Sequence, residues 1–448
     1  MQNPLENLRE FMHELSDEQL RDIVVEMPMH EVVELWQDLR DVEAINLFVL
    51  LPIDKKAELI TELGASDQEW LIKNLPLDNA REIFAIVEPD DMVDIIQELT
   101  PEVRESVWQS LSDEARSQMQ FLLRFDEDQA AGIMTTRYLA IRSNISVGQA
   151  LAFIRINARR VESIYYIYVV DALKRLQGVV SLKDLLFNDD TRRIDEIMTH
   201  RVVTVNEDAD QEEVARTLEV HELVALPVVD GYNRLLGIVT FDDAIDVIRE
   251  EQTEDVYKMG AMEGSAERYT DSSVWRLIRK RVPWLVILLV AGTLTTNVLS
   301  SFESLTLAAG FLVWFVPVIT QTGGNSGTQS STLMIRGIAT GEIRFRDLGT
   351  VMLKELAVGL LMGLILAGVI MLRSVYLPPG VSWVEAVAIG SALVFVVVFS
   401  SIIGAFAPLF IHRLGFDPTV MAGPLMATVI DVAGLTIYFQ AARMILGL

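Results

Sequence analysis

Long apolar runs occupy the last third of the chain, and shorter amphipathic stretches fill most of the rest. A membrane-spanning helix needs about 20 mostly apolar residues. Five runs meet this requirement: residues 283–300, 305–335, 352–372, 384–411 and 420–446. They predict a transmembrane domain over residues 282–448 with five helices, and we expect the second helix to be broken at Gly323-Gly324.

The first 130 residues read as short amphipathic helices punctuated by proline. Proline recurs with steps of about 24 and then about 12 residues, at Pro28, Pro52, Pro76, Pro89 and Pro101. Proline is favoured in the first turn of a helix, and a fixed period is typical of stacked helical hairpins. The pattern predicts a helical-hairpin superhelix over residues 1–130 that carries no catalytic motif.

Residues 131–250 contain an internal repeat. The stretch 168–184 aligns with the stretch 227–243, and a Met-Thr pair opens each copy. Each copy predicts a strand, a glycine turn, a second strand, and a helix that begins after Ser181 or Thr240. The repeat resembles a tandem pair of CBS domains, so the expected fold is a mainly α membrane protein with an α/β CBS pair.

The CBS resemblance implies an adenine-nucleotide ligand such as ATP. In such pairs the Asp of a Ser/Thr-x-x-Asp step holds the ribose, and Asp184 and Asp243 occupy that position here. A carboxylate can accept hydrogen bonds from ribose hydroxyls. The alternative is that Ser181 and Thr240 are only helix N-caps followed by acids in the first turn.

Charge is distributed unevenly along the chain. The chain has 63 acids and 37 Lys and Arg residues, a net charge of −26, whereas residues from Val282 onward hold equal numbers of both. Such self-repulsion destabilises a compact state unless cations screen it, so cations are the expected partners. Nucleic acid is not, because phosphate binding needs basic residues. The absence of cysteine excludes disulfides and thiolate metal sites.

The basic residues around the spans predict the orientation, because cytoplasmic loops carry an excess of Lys and Arg. Most of them fall in three flanking segments: Arg276, Arg279, Lys280, Arg281, Arg336, Arg344, Arg346, Lys354 and Arg413. We expect a multi-pass protein of a bacterial-type cytoplasmic (inner) membrane, with the N-terminus cytoplasmic and the C-terminus outside. No cleavable signal peptide is expected. A connecting helix is predicted over residues 251–281, between the CBS repeat and the transmembrane domain.

One acid lies inside the last predicted span. Placing Asp431 near the bilayer centre costs at least about 2.5–3.5 kcal/mol on insertion scales. Its helical neighbours include Ala427 and Gly434, so its face is small and can approach another helix or a lumen. The alternative is a structural ion pair with Arg443 or Lys354.

The second span carries a polar stretch, Gly323-Gly324-Asn325-Ser326-Gly327-Thr328-Gln329. Carbonyls freed by a helix break at membrane depth are tolerated only when they are buried in protein or line water. Carbonyl, amide and hydroxyl oxygens suit Mg²⁺ or Ca²⁺. The alternative is close helix packing through a G-x-x-x-G step.

These motifs together resemble the MgtE family of magnesium channels. The resemblance rests on residues 317–329, 423–434 and 125–135. It implies a homodimer with a pore at the twofold axis between the second and fifth spans. Asp431 of each chain flanks one central ion there, with Gly324, Asn325 and Ala427 alongside. It also implies Mg²⁺ sensing between the superhelix, the CBS pair and the connecting helix.

Acid-rich steps supply candidate ligands for regulatory Mg²⁺. Acids at i and i+3 or i+4 share a helix face and repel, so a cation between two such faces replaces repulsion with bridging. The candidates are Asp90, Asp91, Asp94, Asp208, Asp210, Asp243, Asp246, Glu251, Glu254 and Asp255, with Glu88, Glu98, Asp242 and Glu250 in the same steps. A solvated acidic face is the alternative.

Three functions are compatible with these observations. The first is a Mg²⁺ channel that mediates uptake and is closed by cytoplasmic Mg²⁺. The second is an H⁺- or Na⁺-coupled divalent-cation transporter, and the third is a non-conducting, membrane-anchored nucleotide sensor. No Walker A, H-E-x-x-H or G-x-S-x-G motif is present, so no enzyme activity is expected.

Overall fold

The structure, a computed structural model, describes residues 16–262, 273–421 and 423–448. The chain divides into two compact units, with the division falling after Glu251 inside one helix. The N-terminal unit holds the short helices and the β-sheets, and the membrane unit holds the long apolar helices. The predicted fold class, mainly helical with an α/β CBS pair, is confirmed.

Short helices fill the described part of the first 130 residues. They are α1 (Asp17–Glu26), α2 (Met29–Asp38), α3 (Asp41–Leu50), α4 (Ile53–Glu62), α5 (Ala65–Asn74), α6 (Leu77–Phe84), α7 (Pro89–Glu98), α8 (Pro101–Ser110) and α9 (Asp113–Leu122). Several helices pack against the next but one, as stacked hairpins require. Their buried core continues into the second CBS copy, where it includes Val205, Leu226 and Val239.

The recurrent prolines start these helices in two ways. Pro28, Pro52 and Pro76 are N-cap residues with φ of −60°, and Pro89 and Pro101 are the first helical residues. Both positions use the fixed φ of proline and its lack of an N–H, which helical first turns leave unpaired anyway.

Two three-stranded sheets form the repeat. The first contains β1 (Ala140–Ile141), β2 (Tyr166–Val170) and β3 (Leu176–Ser181), and the second β4 (Val205–Asn206), β5 (Ala225–Val229) and β6 (Leu235–Thr240). In each sheet the first pair is parallel and the second antiparallel, with an irregularity near the end of the middle strand. The helices of this region are α10 (Val147–Asn157), α11 (Leu182–Phe187), α12 (Ile194–Ile197) and α13 (Gln211–His221).

The Met-Thr pairs cross between the two copies. Thr135, which opens the first copy, pairs with Ile238 of the second, and Thr199 pairs with Val179 of the first. A Cβ on Gly237 would lie 2.6 Å from the carbonyl oxygen of Thr135. The two copies therefore fold as one body, and glycine is needed where the crossing strand passes.

The membrane unit contains five long helices among its described residues. Helix α14 (Phe241–Met259) enters this unit, followed by α15 (Val274–Ser301), α16 (Glu303–Ala308), α17 (Phe311–Ala339), α18 (Leu348–Tyr376), α19 (Trp383–Arg413) and α20 (Pro424–Leu446). In the described chain, four segments are long and apolar enough to span a membrane: Val274–Ser301, Phe345–Tyr376, Trp383–Arg413 and Pro424–Leu446. Helix α17 is long but polar at its centre, so the five-span count stays a prediction.

Two predicted boundaries are corrected by the structure. The span predicted at 305–335 is two helices, α16 and α17, and the basic residues expected before the first span lie within α15. Hydropathy marks the apolar part of a helix, whereas the backbone stays helical beyond it. The predicted connecting helix is represented by α14 up to Met259, and its residues 263–272 lie outside the described residues.

The expected helix break at Gly323-Gly324 is wrong. Helix α17 continues through both glycines, so their carbonyls are not freed. Instead the glycines make room: a Cβ on Gly327 would lie 1.9 Å from Cδ1 of Ile430, and one on Gly404 of α19 would lie 2.3 Å from the Gly327 carbonyl oxygen. Close packing of small residues, the alternative explanation, is what the structure shows.

Candidate ion pathway and acidic cluster

The predicted pore residues lie on α17 and α20, which approach each other at Gly324 and Ala427. An ideal Cβ on Gly324 would lie 3.6 Å from Cβ of Ala427, so these two helices approach closely there. Asn325 follows Gly324, and Asp431 lies one helical turn beyond Ala427. The structure therefore places all four predicted pore residues on two adjoining helices.

Helix α17 has a buried side of small residues and an exposed side of amide residues. Gly323, Gly324, Ser326 and Gly327 are buried, whereas Gln321, Asn325 and Gln329, spaced one turn apart, are exposed in the protomer. We call these three residues the amide stripe. Exposed amides at membrane depth need water or another protein surface, because lipid tails cannot hydrogen-bond to them.

Asp431 has neither of the structural partners that could have explained it. Its side chain is half-buried, and the described residues give it no hydrogen bond or ion pair. The Arg443 Nε donates instead to the Leu448 carbonyl oxygen at 3.0 Å, and Lys354 is exposed. The acid is therefore available to a cation.

A second carboxylate is buried in the membrane unit. Glu355 of α18 accepts a hydrogen bond of 2.7 Å from the Ser330 hydroxyl of α17. The hydroxyls of Ser326 and of Ser401 in α19 are hydrogen-bonded to each other at 3.1 Å. These bonds hold α17 against its neighbours. Sequence reasoning had not singled out Glu355, because it lies one residue after Lys354 near the start of a span.

The N-terminal unit assembles a cluster of carboxylates, which we call the acidic cluster. It consists of two overlapping triplets whose ligand oxygens lie within 4.8 Å of one another: Glu88, Asp90 and Glu162, and Glu162, Asp242 and Asp243. Glu88 and Asp90 lie at the start of α7, and Asp242 and Asp243 in the first turn of α14. Three separate chain segments therefore meet at Glu162.

Burial and the charges of neighbouring carboxylates raise the pKa values of acids in the acidic cluster and beside it. Burial, followed by the charge of Glu88 and its hydrogen bond, raises the pKa of Glu162 to about 10. Burial also raises the pKa of Asp91 to about 7 and of Asp243 to about 6, although a hydrogen bond from Thr240 opposes the shift at Asp243. The pKa of buried Asp90 is raised well above its usual range, mainly by burial.

Two oxygens of the cluster are buried and have no hydrogen-bond partner among the described residues. They are Oδ1 of Asp90 and Oε2 of Glu162. Buried polar atoms are normally satisfied, and hard carboxylate oxygens are the ligands that Mg²⁺ and Ca²⁺ prefer. The residues present therefore fit a divalent cation.

The Arg137 side chain joins two chain segments next to the acidic cluster. The Arg137 guanidinium donates to the carbonyl oxygens of Ile86 and Val87, each at 3.0 Å, and the Glu162 N–H donates to the Arg137 carbonyl at 3.1 Å. Arg137 thus ties the end of α6 to the first CBS copy. Sequence reasoning missed both Glu162 and Arg137, since neither belongs to an acid-rich or repeated motif.

The other predicted regulatory acids are dispersed. Asp94 is exposed one turn after Asp90, and Asp208 and Asp210 line an open groove with Asp126, Glu127 and Asp128.

Several predicted acids already have donors from their own chain. Asp246 pairs with Arg249 at 3.1 Å, Glu251 accepts from Gln211 at 2.8 Å, and Glu254 pairs with Lys258 at 2.9 Å. Asp255 is half-buried. The structure therefore brings Asp90 and Asp243 of the predicted set into the cluster, with Asp91 beside them.

The predicted nucleotide residues serve as caps. The Ser181 hydroxyl accepts from the Asp184 N–H at 3.0 Å, and the Asp184 carboxylate accepts from the Ser181 N–H at 3.3 Å. The Asp243 carboxylate accepts from the Thr240 N–H at 3.3 Å in the same way. Asp184 is exposed, whereas Asp243 also belongs to the acidic cluster.

Comparison with known families agrees with this layout. A family described as divalent cation transporters matches residues 316–441, the MgtE intracellular N domain matches residues 27–128, and the CBS domain matches residues 130–189 and 194–250. The fold and the site thus define a membrane transporter of divalent cations that carries a CBS regulatory region. Its family is one of transporters and not of enzymes.

Close relatives make the assignment specific. The magnesium transporter MgtE of Thermus thermophilus is 43% identical over 361 residues, which is 80% of this chain and 79% of that protein. The Enterococcus faecalis MgtE is 36% identical over 337 residues, 74% of this chain and 72% of that protein. The chain belongs to the MgtE family.

Solved structures match the N-terminal unit. The cytosolic domain of the Mg²⁺ channel MgtE in complex with ATP aligns with a TM-score of 0.53 and 38% identity, covering 54% of this chain and 99% of that chain. The soluble part of a magnesium transporter aligns with a TM-score of 0.51 and 30% identity, covering 55% and 97%. Inosine-5'-monophosphate dehydrogenase of Methanocaldococcus jannaschii matches over only 30% of this chain.

Proposed function

We propose that this protein is a Mg²⁺ channel of the cytoplasmic membrane, closed when cytoplasmic Mg²⁺ binds its N-terminal unit. The observation that carries the proposal is the exposed amide stripe on α17 together with Asp431 on the adjoining α20, for which the described residues supply no partner. Mg²⁺ is small and dehydrates reluctantly, so proteins usually bind it with several waters kept. Asp431 and the amide oxygens are suited to holding a hydrated ion through those waters.

A homodimer completes this pathway. Helix α15 buries none of its residues within the protomer, and the amide stripe is exposed there. A twofold axis beside α17 and α20 would turn the stripe and Asp431 toward their copies, leaving a water-filled path. Two carboxylates at one axis repel unless a cation lies between them, which favours Asp431 as the ion-binding residue.

The acidic cluster is the proposed Mg²⁺ sensor. Glu88 and Asp90 belong to the superhelix, Glu162 to the first CBS copy, and Asp242 and Asp243 to the start of α14. A cation held there stabilises the packed arrangement of three segments. Because α14 is continuous from Phe241 in the cluster to Met259 in the membrane unit, it can carry a change in the cluster into that unit.

An adenine nucleotide is the proposed second ligand of the CBS pair. The support is the repeated Ser/Thr-x-x-Asp step at Asp184 and Asp243, together with the ATP complex of the related cytosolic domain. Exposed Asp184 is the residue we expect to contact ribose, since Asp243 is engaged in the cluster.

Ion flux in liposomes tests the pore. We expect Asp431→Asn to lower Mg²⁺ flux at least about tenfold, equivalent to about 1.4 kcal/mol, with the dimer and its thermal stability unchanged. The matched control is Glu303→Gln, which neutralises an exposed acid of the membrane unit. Normal Mg²⁺ flux through the Asp431→Asn variant would refute the assignment of Asp431 to the pore. Flux that requires an H⁺ or Na⁺ gradient would identify a coupled transporter instead.

A further inference from the structure

The end of α14 is fastened to the segment before α20 by an ion pair. The Lys258 Nζ lies 2.7 Å from Oδ2 of Asp417 and 2.9 Å from Oε2 of Glu254. Partial burial lowers the pKa of Lys258, but its hydrogen bonds to Asp417 and Glu254 outweigh that effect and raise it. The ammonium group therefore stays charged at physiological pH and joins two segments far apart in the sequence.

The second oxygen of Asp417 shapes the turn that follows. Oδ1 accepts hydrogen bonds from the Thr419 N–H at 2.8 Å and from the Thr419 hydroxyl at 2.5 Å. These bonds start the single 3₁₀ turn Pro418–Met421, which leads into α20. One carboxylate thus holds α14 with one oxygen and the approach to α20 with the other.

A second contact joins the next residue of α14, Met259, to Gly423, six residues after Asp417. Gly423, which precedes α20, has φ of +56°, and a Cβ there would lie 2.5 Å from the carbonyl oxygen of Met259. Its own carbonyl accepts the Ala427 N–H at 3.0 Å and so begins the helix. The last turn of α14 therefore touches the residue that starts the helix carrying Asp431, and only glycine fits at the contact.

We propose that these two contacts, the Lys258–Asp417 pair and the Met259–Gly423 approach, form a clamp that couples α14 to α20. The proposal rests on the proposed function, in which Mg²⁺ bound by the N-terminal unit acts on the pore through α14. Displacement of the α14 end is passed to the first turn of α20, and thus to Asp431 two turns on. Lys258, Asp417 and Gly423 are positioning residues, since none of them needs to touch the ion.

The expected effect of breaking the ion pair is modest. The side chains of Lys258 and Asp417 are 29% and 34% exposed, and pairs of this kind change an equilibrium constant by up to about fivefold. A change of that size is measurable as a shift in the Mg²⁺ concentration that halves the flux. The contact at Gly423 is between two backbone segments. A clash caused by an added methyl group there cannot be relieved by turning a side chain.

The test uses full-length protein in liposomes, with Mg²⁺ varied on the side of the N-terminal unit. We expect Lys258→Met and Asp417→Asn each to raise the half-inhibiting Mg²⁺ concentration about two- to fivefold. Asp417→Asn keeps Oδ1 for Thr419 and removes only the charge. The double variant should show no further shift, and Lys258→Arg should restore the wild-type value. Flux without Mg²⁺ and Mg²⁺ protection of the N-terminal unit from protease should be unchanged.

Gly423→Ala should uncouple the channel in the same way, and Gly415→Ala is its matched control. Both glycines have positive φ, but a Cβ at Gly415 meets nothing within 4 Å, so the two variants share backbone strain and differ in the clash. Inhibition at the wild-type Mg²⁺ concentration in the ion-pair variants overturns the clamp, as does equal behaviour of the two alanine variants. If wild-type flux itself ignores Mg²⁺, the proposed function fails, and the clamp fails with it as a gating device.

Discussion

Replacing Glu162 with glutamine should change how Mg²⁺ binding depends on pH. Glu162 is shared by both triplets of the acidic cluster, and its pKa is raised to about 10. At pH 8 the metal-free side chain is therefore protonated. A cation that uses the Glu162 carboxylate must first displace that proton, whereas glutamine has none to release.

The magnitude follows from the pKa and the spacing. Ionising Glu162 at pH 8 against a pKa of about 10 costs about 2.7 kcal/mol, and each further unit of pH reduces the cost by about 1.4 kcal/mol. Two unit charges 4.8 Å apart repel by about 3.5 kcal/mol at an effective dielectric constant of about 20. Bound Mg²⁺ offsets this repulsion. In the wild type, binding of one Mg²⁺ should release one proton from Glu162, so the Mg²⁺ affinity should rise with pH.

The window from pH 8 to 9 separates the titration of Glu162 from that of two neighbouring acids. Asp91, with a pKa of about 7, and Asp243, with a pKa of about 6, are already ionised there. We expect the slope of the logarithm of Mg²⁺ affinity against pH to fall by about one in Glu162→Gln, because one proton release is lost.

The assay is protease protection of full-length protein in lipid nanodiscs, titrated with Mg²⁺ at constant ionic strength at pH 8.0, 8.5 and 9.0. Glu162→Asp should keep a pH-dependent slope, since it retains a carboxyl group. Glu213→Gln, at an exposed site, is the matched control. An unchanged slope in Glu162→Gln would show that Mg²⁺ binds without displacing the Glu162 proton and would refute the reasoning.

Three further predictions follow from the geometry. Without metal, packing around the acidic cluster should weaken as pH rises from about 4 to 7, because the raised pKa values of Asp91 and Asp243 mean that the packed form binds more protons; greater protease protection in EDTA at pH 5.5 than at pH 8 checks this. Gly404→Ala should destabilise the membrane unit by about 1–3 kcal/mol, seen as a lower melting temperature, whereas Gly349→Ala, which meets nothing within 4 Å, should not. Asp184→Ala should weaken adenine-nucleotide binding by calorimetry, and wild-type protein that takes up no ATP, ADP or AMP would contradict the nucleotide proposal.

Much of the fold could be predicted from the sequence because its signals are local. Proline at helix starts, the repeat with its Ser181 and Thr240 caps, and the apolar runs each need only a few neighbouring residues. The glycines of α17 show the limit. A glycine pair permits either a break or a close approach, and which one occurs depends on whether another helix presents a side chain such as Ile430 to the gap.

The acidic cluster was only partly predictable for the same reason. Acid-rich steps pointed to Asp90 and Asp243, which the structure places in the cluster, but Glu162 stands apart from any such step and is placed by the packing of three segments. Conversely, Asp246 and Glu254 have basic residues three and four positions later, Arg249 and Lys258, and helical spacing brings these together. That local signal separates acids paired along their own helix from acids such as Asp90 and Asp243, which have no basic residue three or four positions later.

The glycine contacts between α17 and α19 also limit how the membrane unit can move. Side chains that interlock can hop by one turn and interlock again, but a backbone lying directly on a backbone has no alternative register to slide into. Gly327 and Gly404 approach in this way, and Ile430 of α20 fills the space beside them. Helices α17 and α19 should therefore move as a single rigid block, and helices that meet this block through side chains can shift against it. Helix α15, which buries none of its residues within the protomer, and α20, which meets the block through the Ile430 side chain, are two helices able to shift in this way.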